Sequence, residues 1–389
     1  KGWKVGIVSS VSLDHATPAA FYAHQASRKS YYDIAVELTK SNFDYFAGGG
    51  FLQPTGKEKT STDVIELAKK EGYTYINTRA DFDKLKAGAG KVLAVSPYLQ
   101  DEQAMTYDMD AGKEDISLAD FTQKGIDLLD NSTGFFMMVE GGKIDWSCHA
   151  NDAAASINDT LAFDAAIAKA VEFYKKHQNE TLIIVTGDHE TGGLTIGFAG
   201  TGYSNYISNI KAQKTSYVAF NQLLGAYKEK HTAANAKFED VIPMIKDNFG
   251  LSIISESEYK ILADAVAKGA AKEATDADKT AAKEASAKLL LTVSPSERAV
   301  IEDAFKASMM SSEDRAKIAN ASLLYGGYEP LTVKLTTILN NKAGLGWTTY
   351  SHTGVPVMTS AIGVGADTFN GYYDNTDIYT KMMTLTGLK

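Results

Sequence analysis

The sequence predicts an α/β fold: a central, mostly parallel sheet with helices on both faces, plus a helical insertion. Three observations carry this. Short apolar runs at 5–11, 43–46, 73–77, 92–95, 134–139 and 181–186 read as strands, and the first and the last two of these as buried ones. Helical patterns at 31–40, 64–70, 81–85, 118–129 and 151–176 alternate with them. From about 201 to 345 strand signals thin out and helical ones dominate. We therefore expect a core built from 1–200 and 346–389, with 201–345 as an insertion or cap.

Composition bounds the function. The 389 residues are 44% hydrophobic and 22% charged, ordinary for a globular chain. A net charge of −9 argues against a general nucleic-acid binder, which needs a basic face. It leaves room for a small anionic substrate, because bound metal ions reverse a local field. No run of 18 or more apolar residues occurs, so no membrane-spanning helix is expected. Cys148 is the single cysteine, which excludes an intramolecular disulfide. The chain opens with Lys1-Gly2-Trp3-Lys4 and runs straight into a strand, without an initiator Met or a signal peptide. That start reads as the middle of a domain.

The first strand, 5–11, leads into Leu13-Asp14-His15-Ala16-Thr17-Pro18. Thr17 suits an N-cap and Pro18 a first helical position, so a helix is expected over 19–28. His15 and Thr17 then lie at a strand-to-helix junction, where α/β proteins place ligands. Simple capping would use the same residues. Arg28 is eleven residues past Thr17, about 16 Å along a straight helix. It must reach back, or the helix must end early, unless it is only a surface arginine. Gly48-Gly49-Gly50 after the second strand lets backbone approach a ligand or forms a mobile turn. No GK[ST] follows, so it is no phosphate-binding P-loop.

The strand at 134–139 ends at Glu140, and Glu140-Gly141-Gly142-Lys143-Ile144-Asp145-Trp146-Ser147-Cys148-His149 follows. Asp145 and His149 are four apart and share a face if a helix starts there. Carboxylate and imidazole groups at a strand end suit a metal, although a charged loop opening a surface helix looks the same. The run at 181–186 repeats the logic, ending in Gly187-Asp188-His189-Glu190. Residues 263–291 are rich in Ala, Lys, Glu and Asp and read as solvated helices. A strand is expected at 347–351, ending at His352, with a final helix over 378–385.

Together these pieces resemble the alkaline phosphatase family. The resemblance rests on four motifs in order: D-H-A-T-P-A-A (14–20) with S-R (27–28), V-E-G-G-K-I-D-W-S-C-H (139–149), T-G-D-H-E-T-G-G (186–193) and S-H-T-G (351–354). It implies a three-metal centre of two Zn2+ and one Mg2+. Asp145, His149 and His352 match ligands of the first zinc. Asp188 and His189 match ligands of the second. Glu140 and Thr17 match ligands of the third metal, and Arg28 matches the arginine that grips phosphate. His15 and Trp146 occupy positions that vary in the family, in a combination that resembles certain bacterial members. His15 in place of an aspartate removes a negative charge beside the third metal. It predicts a weaker magnesium preference, with zinc or cobalt as alternatives there.

The resemblance implies hydrolysis of small phosphate monoesters through a phosphoserine intermediate, in a periplasmic or secreted homodimer. It also exposes a gap. The family's nucleophilic serine lies in a D-S-A-type motif upstream of the strand at 5–11, as does an aspartate bridging two metals. No Asp-Ser-Ala occurs in these 389 residues. The chain alone is therefore expected to turn over phosphomonoesters poorly, and missing strands would leave open sheet edges. Two further readings are a sister phosphodiesterase or sulfatase, and a metal-binding fragment without catalysis.

Overall fold

The computed structural model describes residues 2–387. Two compact units emerge: Lys1–Asp145, Ile157–Glu190 and Gly354–Lys389 form one, and Trp146–Ser156 with Thr191–Thr353 form the other.

The first unit is organised by five strands: β1 (Lys4–Ser9), β2 (Tyr45–Gly48), β3 (Tyr73–Ile76), β4 (Lys91–Val95) and β5 (Phe135–Glu140). They form one parallel sheet in the order β3-β4-β2-β1-β5. Between them run α1 (Ala16–Ala19), α2 (Tyr31–Lys40), α3 (Val64–Lys70), α4 (Arg79–Lys84) and α5 (Leu118–Leu129). Neighbouring strand residues go to opposite faces, as a pleated strand requires. Ile7, Phe46 and Leu93 join Ile34, Leu38 and Val64 in one core. Val8, Tyr45 and Val92 join Phe82, Ile116 and Phe121 in the other. Phe46 is fully buried, edge-on to Tyr22 with ring centroids 5.5 Å apart. Burial of such a side chain stabilises by roughly 1.5–3 kcal/mol.

Register aligns the carboxyl ends. Ser9 is level with both Gly48 and Glu140. The triple glycine explains how: a Cβ on Gly48 would lie 1.7 Å from the Ser9 carbonyl oxygen, and one on Gly49 2.3 Å from that of Val11. Only glycine lets β2 end this close to the chain leaving β1.

Several sequence expectations are corrected. α1 stops at Ala19 and does not reach Arg28. The Glu37 carboxylate captures the backbone N–H of His24 at 2.6 Å, so the chain turns away. His15 is the N-cap, not Thr17, and the Thr17 hydroxyl turns to Glu140 instead. β5 is half-buried, because its ladder runs to β1 and no second ladder occurs on its other edge among the described residues. The run at 181–186 forms β6 (Leu182–Val185), outside the parallel sheet and antiparallel to Ser360–Gly363. An apolar run fits any half-buried ladder, so its own residues do not choose the partner.

The helix expected over 151–176 forms as one helix, preceded by a separate short one. α6 (Lys143–His149) ends first, and α7 (Ala153–Lys176) begins after Asn151, whose φ is 53°. Each of these helices contributes residues to both units. In the second unit, 347–351 is irregular rather than a strand. Thr348 and Thr349 donate backbone N–H groups to the Gly192 carbonyl at 3.0 and 3.2 Å, and the Gly192 N–H donates to the Ser351 carbonyl at 2.9 Å. The chain here wraps a glycine instead of pairing in a ladder.

Elsewhere the second unit is mostly helical. Pro330–Ala343 buries Leu331, Leu335, Ile338 and Leu339. Glu256–Ala270 and Asp276–Leu289 form an outlying pair with capping boxes at Ser255/Glu258 and Thr275/Asp278. Among the described residues no helix is long and apolar enough to cross a membrane.

Candidate metal centre

At the carboxyl end of β5, the Ser9 hydroxyl donates to Glu140 Oε2, and Thr17 also hydrogen-bonds this carboxylate. Burial raises the Glu140 carboxyl to about 7, and the nearby charges of Asp188 and Asp145 add to the rise. A carboxylate oxygen of Asp145 and a ring nitrogen of His189 lie within 4.8 Å of each other. His189 Nε2 is 3.4 Å from Asp188 Oδ2, and the Asp188 carbonyl accepts from Asn375 Nδ2 at 3.2 Å. The first unit thus gathers Thr17, Glu140, Asp145, Asp188 and His189.

His15 and Arg28 join them. Arg28 Nη2 lies 3.1 Å from His15 Nε2. Guanidinium only donates, so this ring nitrogen accepts and the imidazole is neutral. Burial agrees, pushing His15 down to about 4, with the Arg28 charge acting in the same direction. The early end of α1 is what allows Arg28 to fold back, and its side chain is exposed.

The second unit holds His149 and His352. His149 Nδ1 lies 2.7 Å from the Tyr350 carbonyl and must donate to it, which makes Nε2 the nitrogen that carries the lone pair. That Nε2 is 3.2 Å from His352 Nε2. Trp146 is half-buried on α6, and Cys148 Sγ lies 3.3 Å from Ser156 Oγ.

These groups fit metal ions. The Glu140 carboxyl, raised by burial and by the charges of Asp188 and Asp145, marks a place that calls for positive charge. Two imidazole nitrogens, each about 2.0–2.1 Å from a tetrahedral zinc, stand roughly 3.3 Å apart. The His149–His352 separation matches that spacing.

Three residues escaped the sequence reading. Ser9 is only the last residue of an apolar strand, yet its register with Glu140 makes it the carboxylate's donor. Lys143 is fully buried, with Nζ 2.6 Å from Asp101 Oδ1 and 3.7 Å from the Tyr107 ring centre. Asn151 is buried with a left-handed backbone. Asn in a helix-terminating position was a signal available in the sequence for the last of these.

Fold and donor set define an α/β protein with carboxylate and imidazole ligands at the ends of its strands. The sequence model of the alkaline phosphatase family matches residues 1–388, and the chain belongs to that family. It is 29% identical over 385 residues to alkaline phosphatase 3 of Bacillus subtilis, covering 97% of this chain and 67% of that protein. For alkaline phosphatase 4 of the same organism the share is 66%, so the chain spans about two thirds of these relatives. Among solved structures, a cold-active alkaline phosphatase from a psychrophilic Shewanella superposes with a TM-score of 0.66 at 28% identity, over 99% of this chain and 75% of that one. A mutant TAB5 alkaline phosphatase with Mg bound in its M3 site gives 0.55 at 23% identity, over 100% and 73%.

Proposed function

We propose that this chain carries the metal ligands and phosphate grip of a phosphomonoesterase. The observation that carries the reading is the carboxylate cluster around Glu140 beside an exposed Arg28 that His15 orients. Asp145, His149 and His352 are the proposed ligands of one zinc, and Asp188 and His189 of the other. Glu140 and Thr17 face a third metal, magnesium or, given His15, zinc or cobalt. When bound, such ions neutralise charge on the reacting phosphoryl oxygens and lower the pKa of an attacking oxygen.

The chain's own groups do the rest. Arg28 presents a planar fork to two phosphate oxygens, and neutral His15 restrains one arm of that fork by accepting from it. Ser9 and Thr17 hold Glu140 in place by donating to it. Trp146 is a candidate substrate contact by the family resemblance alone. The covalent route needs a serine in a D-S-A setting, and the 389 residues contain no such motif. The chain alone therefore binds phosphate but turns over esters slowly. A periplasmic or secreted location and a homodimeric assembly are part of this proposal.

Calorimetric titration of the zinc- and magnesium-loaded protein with inorganic phosphate tests this. Arg28→Ala is expected to weaken binding about tenfold to a hundredfold, since hydrogen bonds to charged groups contribute roughly 1.5–3 kcal/mol. Equal binding by both forms removes the grip. With p-nitrophenyl phosphate, turnover at the rate of an intact family member, by protein whose mass matches these 389 residues, overturns the serine requirement. A preference for bis(p-nitrophenyl) phosphate favours a diesterase.

A further inference from the structure

We propose that Asn151 is the positioning residue that sets the spacing of His149 and His352. The proposal rests on the reading that these two imidazoles share a metal.

Asn151 lies two residues after His149, is 6% exposed, and has a φ of 53°. Asn tolerates this left-handed backbone better than other side-chain-bearing residues. The turn ends α6 and lets the side chain reach the segment that precedes His352. Its Nδ2 donates to the Cys148 carbonyl at 2.9 Å and to the Thr349 carbonyl at 3.0 Å. Both amide hydrogens are thereby used. One acceptor is next to His149 and the other is three residues before His352.

The amide therefore straps together the two segments that carry the imidazoles. A second strap runs beside it, from His149 Nδ1 to the Tyr350 carbonyl at 2.7 Å. That second bond also fixes the ring's tautomer, so the amide and the imidazole act on one short stretch, 349–350. From below, Asn340 Nδ2 donates to the Asn151 carbonyl at 2.8 Å, and Asn340 is 1% exposed. Asn340 braces the turn but does not touch either strap. This separates a role in folding from a role in spacing the rings.

The variants follow from the chemistry. Asn151→Gly keeps the left-handed turn and deletes the strap. Asn151→Asp keeps size and turn but offers only acceptors, which face two carbonyl oxygens. Asn340→Ala removes the brace and leaves the strap.

The experiment uses the full chain, stripped of metal and titrated with zinc against a chromophoric chelator. Cobalt absorption in the visible reports ligand geometry. Circular dichroism and thermal melting report folding. His149→Ala identifies the zinc equivalent that uses the pair. For that equivalent, Asn151→Gly and Asn151→Asp are expected to weaken affinity about 10–100-fold, the usual effect of removing a group that orients a ligand. Both should also alter the cobalt spectrum. Asn340→Ala should lower the melting temperature and leave zinc affinity within about threefold. Zinc affinity and cobalt spectrum unchanged in both Asn151 variants overturn the proposal. Zinc stoichiometry unchanged in His149→Ala overturns the metal reading beneath it instead. Should the Asn151 variants fail to fold, exchange of the Asn151 side-chain amide protons in the unsubstituted protein decides. Slower exchange with zinc bound supports the strap, and equal exchange with and without zinc overturns it.

Discussion

Glu140→Gln is expected to stabilise the metal-free protein by about 3 kcal/mol at pH 8 and to have no effect near pH 4. The Glu140 carboxyl is raised from 4.5 to about 7 by burial and by the charges of Asp188 and Asp145. A raised folded-state pKa means the folded protein holds its proton more tightly than the unfolded chain does. That stability is fully present below 4.5 and is lost as pH rises through about 7. At pH 8 the folded state must keep a shielded carboxylate ionised. Glutamine is neutral at every pH and can still accept from Ser9, so it escapes the cost. The same exchange removes an anionic oxygen from the proposed third-metal site and should abolish binding there. Urea denaturation in chelator at pH 4 and pH 8 measures the first effect, and metal analysis the second. A Glu140→Gln variant no more stable than the parent at pH 8 would remove the electrostatic basis of the site. His15 opposes this trend, because its pKa falls from 6.5 to about 4 on folding. Its contribution is present above 6.5 and is lost as pH falls through about 4, so comparing the two proteins cancels it.

Lys143→Met is expected to cost about 3 kcal/mol or more of folding stability. Lys143 is 0% exposed and its ammonium group meets Asp101, the Gln100 amide oxygen and the Tyr107 ring. Methionine fills a similar volume and leaves the Asp101 carboxylate, with a side chain 25% exposed, without its cation. Breaking one half of a buried pair is far more costly than removing both halves. Lys143→Met combined with Asp101→Leu should therefore recover most of the loss. Denaturation midpoints of the three proteins check this. If the single variant lies within about 1 kcal/mol of the parent, the pair contributes no more than an exposed ion pair does.

The strands and the ligand motifs were legible because both depend on neighbours in sequence. Apolar runs announced β1 to β6, and Asp145 and His149 fell one turn apart on α6 as their spacing implied. What could not be read depends on distant partners. The Asn151 strap joins residues 198 apart, and the Ser9 hydroxyl finds Glu140 across 131. Lys143 looked like one more charge in a polar loop, and only the fold reveals Asp101 and Tyr107 around it. The helix expected to carry Arg28 ends early because Glu37, on another helix, takes a backbone N–H. β6 shows the same limit for strands: its residues specify a half-buried ladder, and the rest of the chain decided which.

The outlying pair Glu256–Ala270 and Asp276–Leu289 has a practical use. The first helix buries no residue and the second only Ala285, so local capping and ion pairs such as Lys268–Asp278 hold much of it in shape. Its base is closed by a bridge between Ser252 and Thr292. Segments with so little core open without the rest of the fold. The turn at 271–275 is thus a natural place for a reporter or affinity tag, and limited proteolysis should nick there first. A nicked or tagged protein should keep its zinc affinity, because none of the proposed ligands depends on that turn.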